Sequence, residues 1–395
     1  MRDFTHDSLT VRDPGDLIDL VPYLIGFHPL DSLVVVGLSS AAPLAPRVLV
    51  TARADLPRCT VPEMGFAPLI GPIGRAGCDQ VVVLLYDSQI YALADADPVS
   101  ISRRQLADLD SVRLVSRLGV DFTRAGLDVA TLAVVAGRRW WCVSDPLDGC
   151  PDDGTTLREG GSPAAAEAVW KGLVALPSRE ALATTLDGDP PSRRARLEPA
   201  IAKAENRLTQ ATIEHRLHAV LRTELRRLLA DAENLATMPE AFPDRGRATD
   251  GALHATGTRR RPGPATLARH LAAMGHEQIR VTLWLAADER PEELSELMLL
   301  LARRAPAEYS GVPLALYGWT QWRRGNGAMA AIANDRAQAL DPQAPITIAL
   351  GTLISRGIDP TTTPTLRVLQ ERDAADAAAT GVGRVGSYTG LRRSR

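Results

Sequence analysis

The sequence predicts an α/β N-terminal domain with a mixed sheet, followed by an all-helical C-terminal domain with solenoid-like packing. Three observations carry this expectation. Short β-branched runs alternate with helix-length segments over the first 160 residues. A stretch rich in Asp, Gly and Pro at 144–162 closes that alternation, and apolar spacing beyond it is almost entirely helical. The 395 residues, 45% of them hydrophobic, suffice for two domains with cores of their own.

Leu17, Ile18, Leu20, Val21 and Leu24 mark a short helical stretch, broken around Pro22 and Gly26. Leu33–Leu38 and Arg47–Ala52 have strand length and β-branched content. The Pro-rich link between them is too short for a crossover helix, so the pair is expected to be antiparallel and the sheet mixed. A helix around 62–76 precedes the strand Gln80–Tyr86. A second, Ser100–Leu118, follows it, with Leu106, Leu109, Val112, Val115 and Leu118 at helical spacing. Asp128–Val135 reads as a further strand, against which Arg139–Val143 folds back across Gly137.

After this mixed α/β domain (1–160), residues 161–235 read as helices. From about 200 to 235 they form one long amphipathic helix. Ile213, Leu217, Val220, Leu221, Leu225 and Leu228 lie on one face, with Arg207, Arg216, Arg222, Arg226 and Arg227 on the other. Residues 236–264, rich in Pro and Gly and carrying Arg259-Arg260-Arg261, read as a flexible linker or loop. A helical bundle is expected over 265–358 and a mostly disordered tail over 359–395. Within the bundle, the small residues Gly318, Gly325, Ala330 and Ala337 before Pro342 make Pro313–Pro342 resemble one tetratricopeptide-type hairpin. It has Asn334 where that pattern packs an aromatic. Pro291–Arg304 and Pro345–Arg356 are expected to stack on it as degenerate neighbours.

A formal charge of −2 argues against a dedicated nucleic-acid coat. Only two of the 45 basic side chains are lysines, Lys171 and Lys203. The arginines are spread over every segment, as high-GC codon usage produces, so their excess alone signals no phosphate site. The charged N-terminus lacks an apolar leader core, and no apolar run approaches the ~18 residues of a membrane span. A soluble, cytoplasmic protein with no membrane contact is therefore expected. Cys59, Cys78, Cys142 and Cys150 contain no C-x-x-C pair and read as thiols.

The catalytic inventory is mostly negative. There is no G-x-x-x-x-G-K-[ST] loop and no H-E-x-x-H. Gly71–Gly77 precedes a strand, whereas a dinucleotide fingerprint follows one. Gly37-Leu38-Ser39-Ser40-Ala41 nearly matches a nucleophile elbow but leads to prolines and a strand instead of a helix. His215 and His218 would share a helix face, yet no carboxylate pair supports a metal there. No cofactor and no metal are expected, and the inventory leans against catalysis without deciding it.

Two stretches stand out. His28, Asp31 and Ser32 crowd the entry to the first strand, while Arg53 and Asp55 end its hairpin partner. One sheet end thus gathers a candidate ligand site, with Arg53 as anion clamp. The bland alternative is that Asp31 and Ser32 close a turn and Arg53 pairs with a carboxylate. The second stretch, Arg138, Arg139, Trp140, Trp141 and Cys142 with Cys150 beyond, offers stacking surface to a partner or covers the edge of a core.

The strings TVRDPGDLIDLVPYLIGFHPLDSLVVVGL, VLVTARADLP, RRWWCVSDPLDGCPDDGTTL and LYGWTQWRRGNGAMA resemble an actinobacterial family known only as a domain of unknown function. Members usually carry two adjacent cysteines where Gly149-Cys150 stands here, which weakens a metal or redox role for that loop. The resemblance implies a cytoplasmic protein and no particular activity. The first functional expectation is a non-catalytic interaction or regulatory module that holds a protein partner through its helical domain. The alternative is a sensor or enzyme with a pocket near His28 and Arg53. Nucleic-acid contact through Arg216–Arg227, Arg259–Arg261 and the basic tail is the weakest of the three readings.

Overall fold

The computed structural model describes residues 11–39, 47–56, 67–96, 101–143, 151–237 and 261–379. They form two compact units. The first takes the chain up to Asp187 together with Asn326–Ile332 and Ala349–Asp359; the second takes the remainder. The break therefore falls later than the expected boundary at residue 160.

The first unit begins with α1 (Pro14–Ile25), capped by the Asp13 side chain and ended by Gly26 at φ 85°. It runs through Pro22, since Leu17, Ile18, Leu20 and Val21 are all buried and packing outweighs the lost backbone bond. Next come β1 (Ser32–Ser39), β2 (Arg47–Asp55), α2 (Ala67–Arg75) and β3 (Gln80–Tyr86). Residues 62–66 of the expected first crossover helix lie outside the described residues. The expected helix Ser100–Leu118 is instead α4 (Arg103–Ala107), opened by a Ser102–Gln105 capping box, and α5 (Asp110–Arg124). A helix that the apolar pattern does not announce, α3 (Ser88–Ala96), precedes them. The series continues with β4 (Asp128–Ala136), β5 (Arg139–Cys142), the two-residue β6 (Thr155–Thr156), α6 (Pro163–Trp170) and α7 (Arg179–Thr184).

The six strands lie in the order β2-β1-β3-β4-β5-β6. Only β3 and β4 run parallel, joined through α3, α4 and α5; the expected antiparallel pairing of β1 with β2 is present. Every residue from Ser32 to Leu38 is buried, because helices cover both faces of this strand. On one face α1 and α6 pack against Val34, Val36, Leu84 and Val135. On the other, α2, α3 and α5 pack against Leu33, Val35, Val83 and Val134. Gly37 is glycine for space: a Cβ there would meet Cys78 Sγ at 2.5 Å and Val50 Cγ1 at 2.8 Å. Burial, with Asp79 beside it, pushes the Cys78 thiol up to about 11, so it stays protonated and inert.

The second unit holds α8 (Pro191–Arg194), a 3-10 turn, α9 (Glu198–Ile213), α10 (Leu217–Ala236), α11 (Pro264–Met274), α12 (Glu277–Glu289), α13 (Pro291–Arg304) and α14 (Ala307–Arg323). Beyond these come α15 (Gly327–Leu340), α16 (Pro345–Ser355) and α17 (Leu366–Ala379). The single long helix expected over 200–235 is two helices. The chain turns at Glu214–Arg216, with His215 left-handed at φ 58°. His215 and His218 therefore do not share a helix face, which removes the metal pair. The hairpin Pro313–Pro342 corresponds to α14 and α15, with Gly325 at φ 78° in the turn. Among the helix pairings are α9 with α11, α10 with α13 and α13 with α14. Where the tail was expected to be disordered from 359, α17 is a helix. The expected linker over 236–264 falls for the most part at 238–260, outside the described residues, as do 380–395. No helix among the described residues is long and apolar enough to cross a membrane.

Candidate functional site

The sheet end brings together four of its five nominated residues. Register places Ser32 opposite Asp55 and Val34 opposite Arg53. Arg53 donates from Nε and Nη2 to Ser32 Oγ at 3.0 and 2.8 Å, and its Nη2 lies 2.6 Å from Asp55. Its guanidinium stands 5.6 Å from the Phe27 ring centroid. Ser32, fully buried, donates to the Leu30 carbonyl at 2.7 Å. Asp31, held at φ 45°, accepts from the Ser88 N–H at 3.0 Å, and its carbonyl accepts from Leu56. His28 is exposed, and its backbone N–H donates to Leu176. The corner is thus closed on itself, because an incoming anion would have to displace Asp55 from Arg53.

The second motif is core and loop clamp. Trp141 is fully buried and donates from Nε1 to the Ile101 carbonyl at 3.2 Å, and Cys142 is buried beside it in β5. Trp140 is half-buried on the α1 and α6 face. Arg139 donates to the Asp153 carbonyl at 2.7 Å and Arg138 to that of Arg158 at 3.0 Å, which ties the following loop to the sheet. Cys150 lies outside the described residues. Ser32, Tyr86, Val135 and Trp140 form one row across the sheet, so the two motifs share a sheet end but stand about 14 Å apart at the usual strand spacing. They do not meet in one cleft.

An arginine-lined concavity lies in the helical unit, between α9, α10 and α11. A cavity of about 350 Å³ is lined by Arg207, Arg216, Arg227 and Arg269 with Glu224 and small apolar residues. A neighbouring one of about 380 Å³ shares Arg227 and Arg269 and adds Arg261, Asp231 and Thr266. The wall beneath is ordered by His270, which is wholly inaccessible to solvent. Its Nδ1 lies 2.8 Å from Glu224 Oε1 and its Nε2 2.9 Å from Asp231 Oδ2. Glu224 and Asp231 are two turns apart on α10, hence on one face. A doubly protonated ring donates to both carboxylates; a neutral ring satisfies one.

Burial alone would raise the Glu224 carboxyl, but the His270 hydrogen bond and charge, with Arg269 and Arg227, hold it below the ordinary carboxylate range. The two arginines are only loosely engaged by it. Arg227 Nη1 is 3.5 Å and Arg269 Nε 3.6 Å from Glu224 Oε2, and the buried Arg269 Nε makes no hydrogen bond. Five arginines thus line the two cavities with Glu224 and Asp231, both of which His270 already holds; of the five, Arg216 is also paired with Glu214. Among the described residues, no group of three His, Cys, Asp or Glu is arranged to hold a metal ion.

A family model described as a domain of unknown function, DUF4192, matches residues 14–361. The chain belongs to this family. No curated protein and no solved structure matches it. The DUF4192 match spans the sheet end, the aromatic motif and the arginine-lined cleft alike.

Spacing along this DUF4192 chain does not announce the cleft. Arg216 and Arg227 read as a solvated face, and the arginine excess as codon usage; in the fold they converge on α11. The available signal is His270, set between Ala268 and Leu271 on an apolar helix face, where a buried imidazole must find polar partners from elsewhere.

Proposed function

We propose that this chain is a non-catalytic, ligand-responsive binding module whose helical unit takes up a small anion. The observation that carries the reading is the wall shared by the two adjoining cavities. Arg227 and Arg269 line both, loosely held by a carboxylate that His270 occupies. Guanidinium groups so placed suit bidentate contacts to phosphate or carboxylate oxygens. The sheet end is a weaker candidate, since its arginine is already paired. Titration calorimetry with inorganic phosphate at low salt is expected to show binding that weakens as ionic strength rises. The double variant Arg227→Ala/Arg269→Ala should lose at least about tenfold in affinity while keeping its fold, as one or two charge-assisted contacts imply. Phosphate affinity unchanged in that variant would remove the site.

A protein partner is the second reading, and one observation favours it. Trp170 at the end of α6 is 84% exposed, with Val169 and Val174 exposed near it. The α14 helix of the hairpin, by contrast, is buried along most of its length. Trp170→Ala should leave the melting temperature unchanged, while a photo-crosslinker at position 170 should capture one discrete protein in cells. A smear of adducts or none would count against docking there.

A further inference from the structure

The two lobes of the cleft differ in chemistry. The first has a floor of Ala204, Leu208, Val220 and Ala273, with Arg207, Arg216 and the exposed Ala219 at its rim. The second is polar, with Asp231, Thr266 and Gly263 beside the first turn of α11, and Arg261. Arg227 and Arg269 stand where the lobes join. An inorganic anion held there would leave the apolar floor in water, and a purely apolar ligand would leave Arg227 and Arg269 with only the distant Glu224 carboxylate for a counter-charge. The first lobe alone, at about 350 Å³, has the volume of a small-molecule pocket.

Resting on the anion-binding reading, we infer that the ligand is an organic phosphate with a flat apolar body, of which a nucleoside monophosphate is the simplest member. The phosphate lies between Arg227 and Arg269 and faces the second lobe. The body covers the Leu208 and Val220 floor, where the planar guanidinium group of Arg207 can lie against its face, beside Arg216, which Glu214 holds. Thr223, which also lines this lobe, donates its hydroxyl to the Ala219 carbonyl at 2.9 Å, so its oxygen can serve the polar edge of the body only as an acceptor.

The test uses the full chain and three probes: AMP, ribose 5-phosphate and inorganic phosphate, each titrated calorimetrically at low salt. AMP should bind at least about tenfold tighter than either of the others, the range set by one stacked base. Ala219 is an exposed helix position, so Ala219→Trp fills the first lobe without disturbing the core. It should bring AMP down to the affinity of ribose 5-phosphate and leave inorganic phosphate unchanged. AMP bound no tighter than phosphate, with phosphate still lost in Arg227→Ala/Arg269→Ala, overturns the organic body and leaves the anion site standing. No binding of any of the three overturns the anion site itself. Tight AMP binding that Ala219→Trp does not alter places the body elsewhere and overturns the assignment of the first lobe.

Discussion

Arg323→Ala is expected to destabilise the helical unit by about 3–5 kcal/mol, the cost of leaving a buried charge without its partner. Arg323 is 7% exposed and pairs through Nε with Asp288, which is itself inaccessible. Asp288 also accepts from Trp319 Nε1 at 2.9 Å and from the Leu366 N–H at 2.6 Å. The remaining guanidinium donors reach the carbonyls of Pro360, Thr363 and Pro364 at 2.9, 2.9 and 3.1 Å. One side chain therefore neutralises a buried carboxylate and pins the segment leading into α17. Urea unfolding should show the loss, and hydrogen exchange should show faster opening of 360–366 even where the rest of the unit stays folded. A cost under about 1 kcal/mol would mean that Asp288 is satisfied by Trp319 and Leu366 alone. Arg323→Lys should recover only part, since an ammonium cannot reproduce the planar fork.

His270→Ala is the second large effect, again about 3–5 kcal/mol, because it leaves Glu224 and Asp231 without the ring that joins them. The pH dependence has a definite sign. Glu224 is depressed in the folded state, so its contribution is in place above the ordinary carboxylate range and is lost as pH falls through its lower folded value. Removing His270 takes away the largest of the influences that depress it, so the folded value rises towards the ordinary one and the part of the acid loss that Glu224 supplies should shrink in the variant. Adding Glu224→Gln to His270→Ala should recover part of the loss, since it removes one of the two stranded charges. Strictly additive losses in this double-mutant cycle would show that the ring and the carboxylate do not act together.

How much of this was legible beforehand depends on how local the cause is. Leu33–Leu38 and Val81–Leu85 announce strands because both faces are buried and every position is apolar. The link Ser39–Pro46 betrays its antiparallel pairing through length alone. The turn at Glu214–Arg216 is not legible, since it contains neither Gly nor Pro. What breaks the helix is tertiary: α9 buries its apolar stripe against α11, and α10 against α13. The same holds for α17, whose anchor points are Asp288 and Arg323 far earlier in the chain. At the sheet end, adjacency of Ser32, Arg53 and Asp55 follows from hairpin logic. Whether such a cluster is open or closed on itself rests on distances that no spacing encodes. The arginine cleft is the extreme case, because Glu224 and His270 meet across 46 positions.

The way the sheet ends at its sides bears on behaviour at high concentration. A strand edge with free amides and carbonyls is a template for another chain, and long flat edges invite fibrous association. Here β6 offers a ladder of only two residues at one side. At the other, β2 carries Arg47 and Arg53, and a shift of register between Gly37 and Leu38 bends its pairing. A β-rich core as apolar as Val34–Val36 and Val81–Leu85 is thereby kept from recruiting copies of itself, and the α/β unit resists edge-to-edge aggregation.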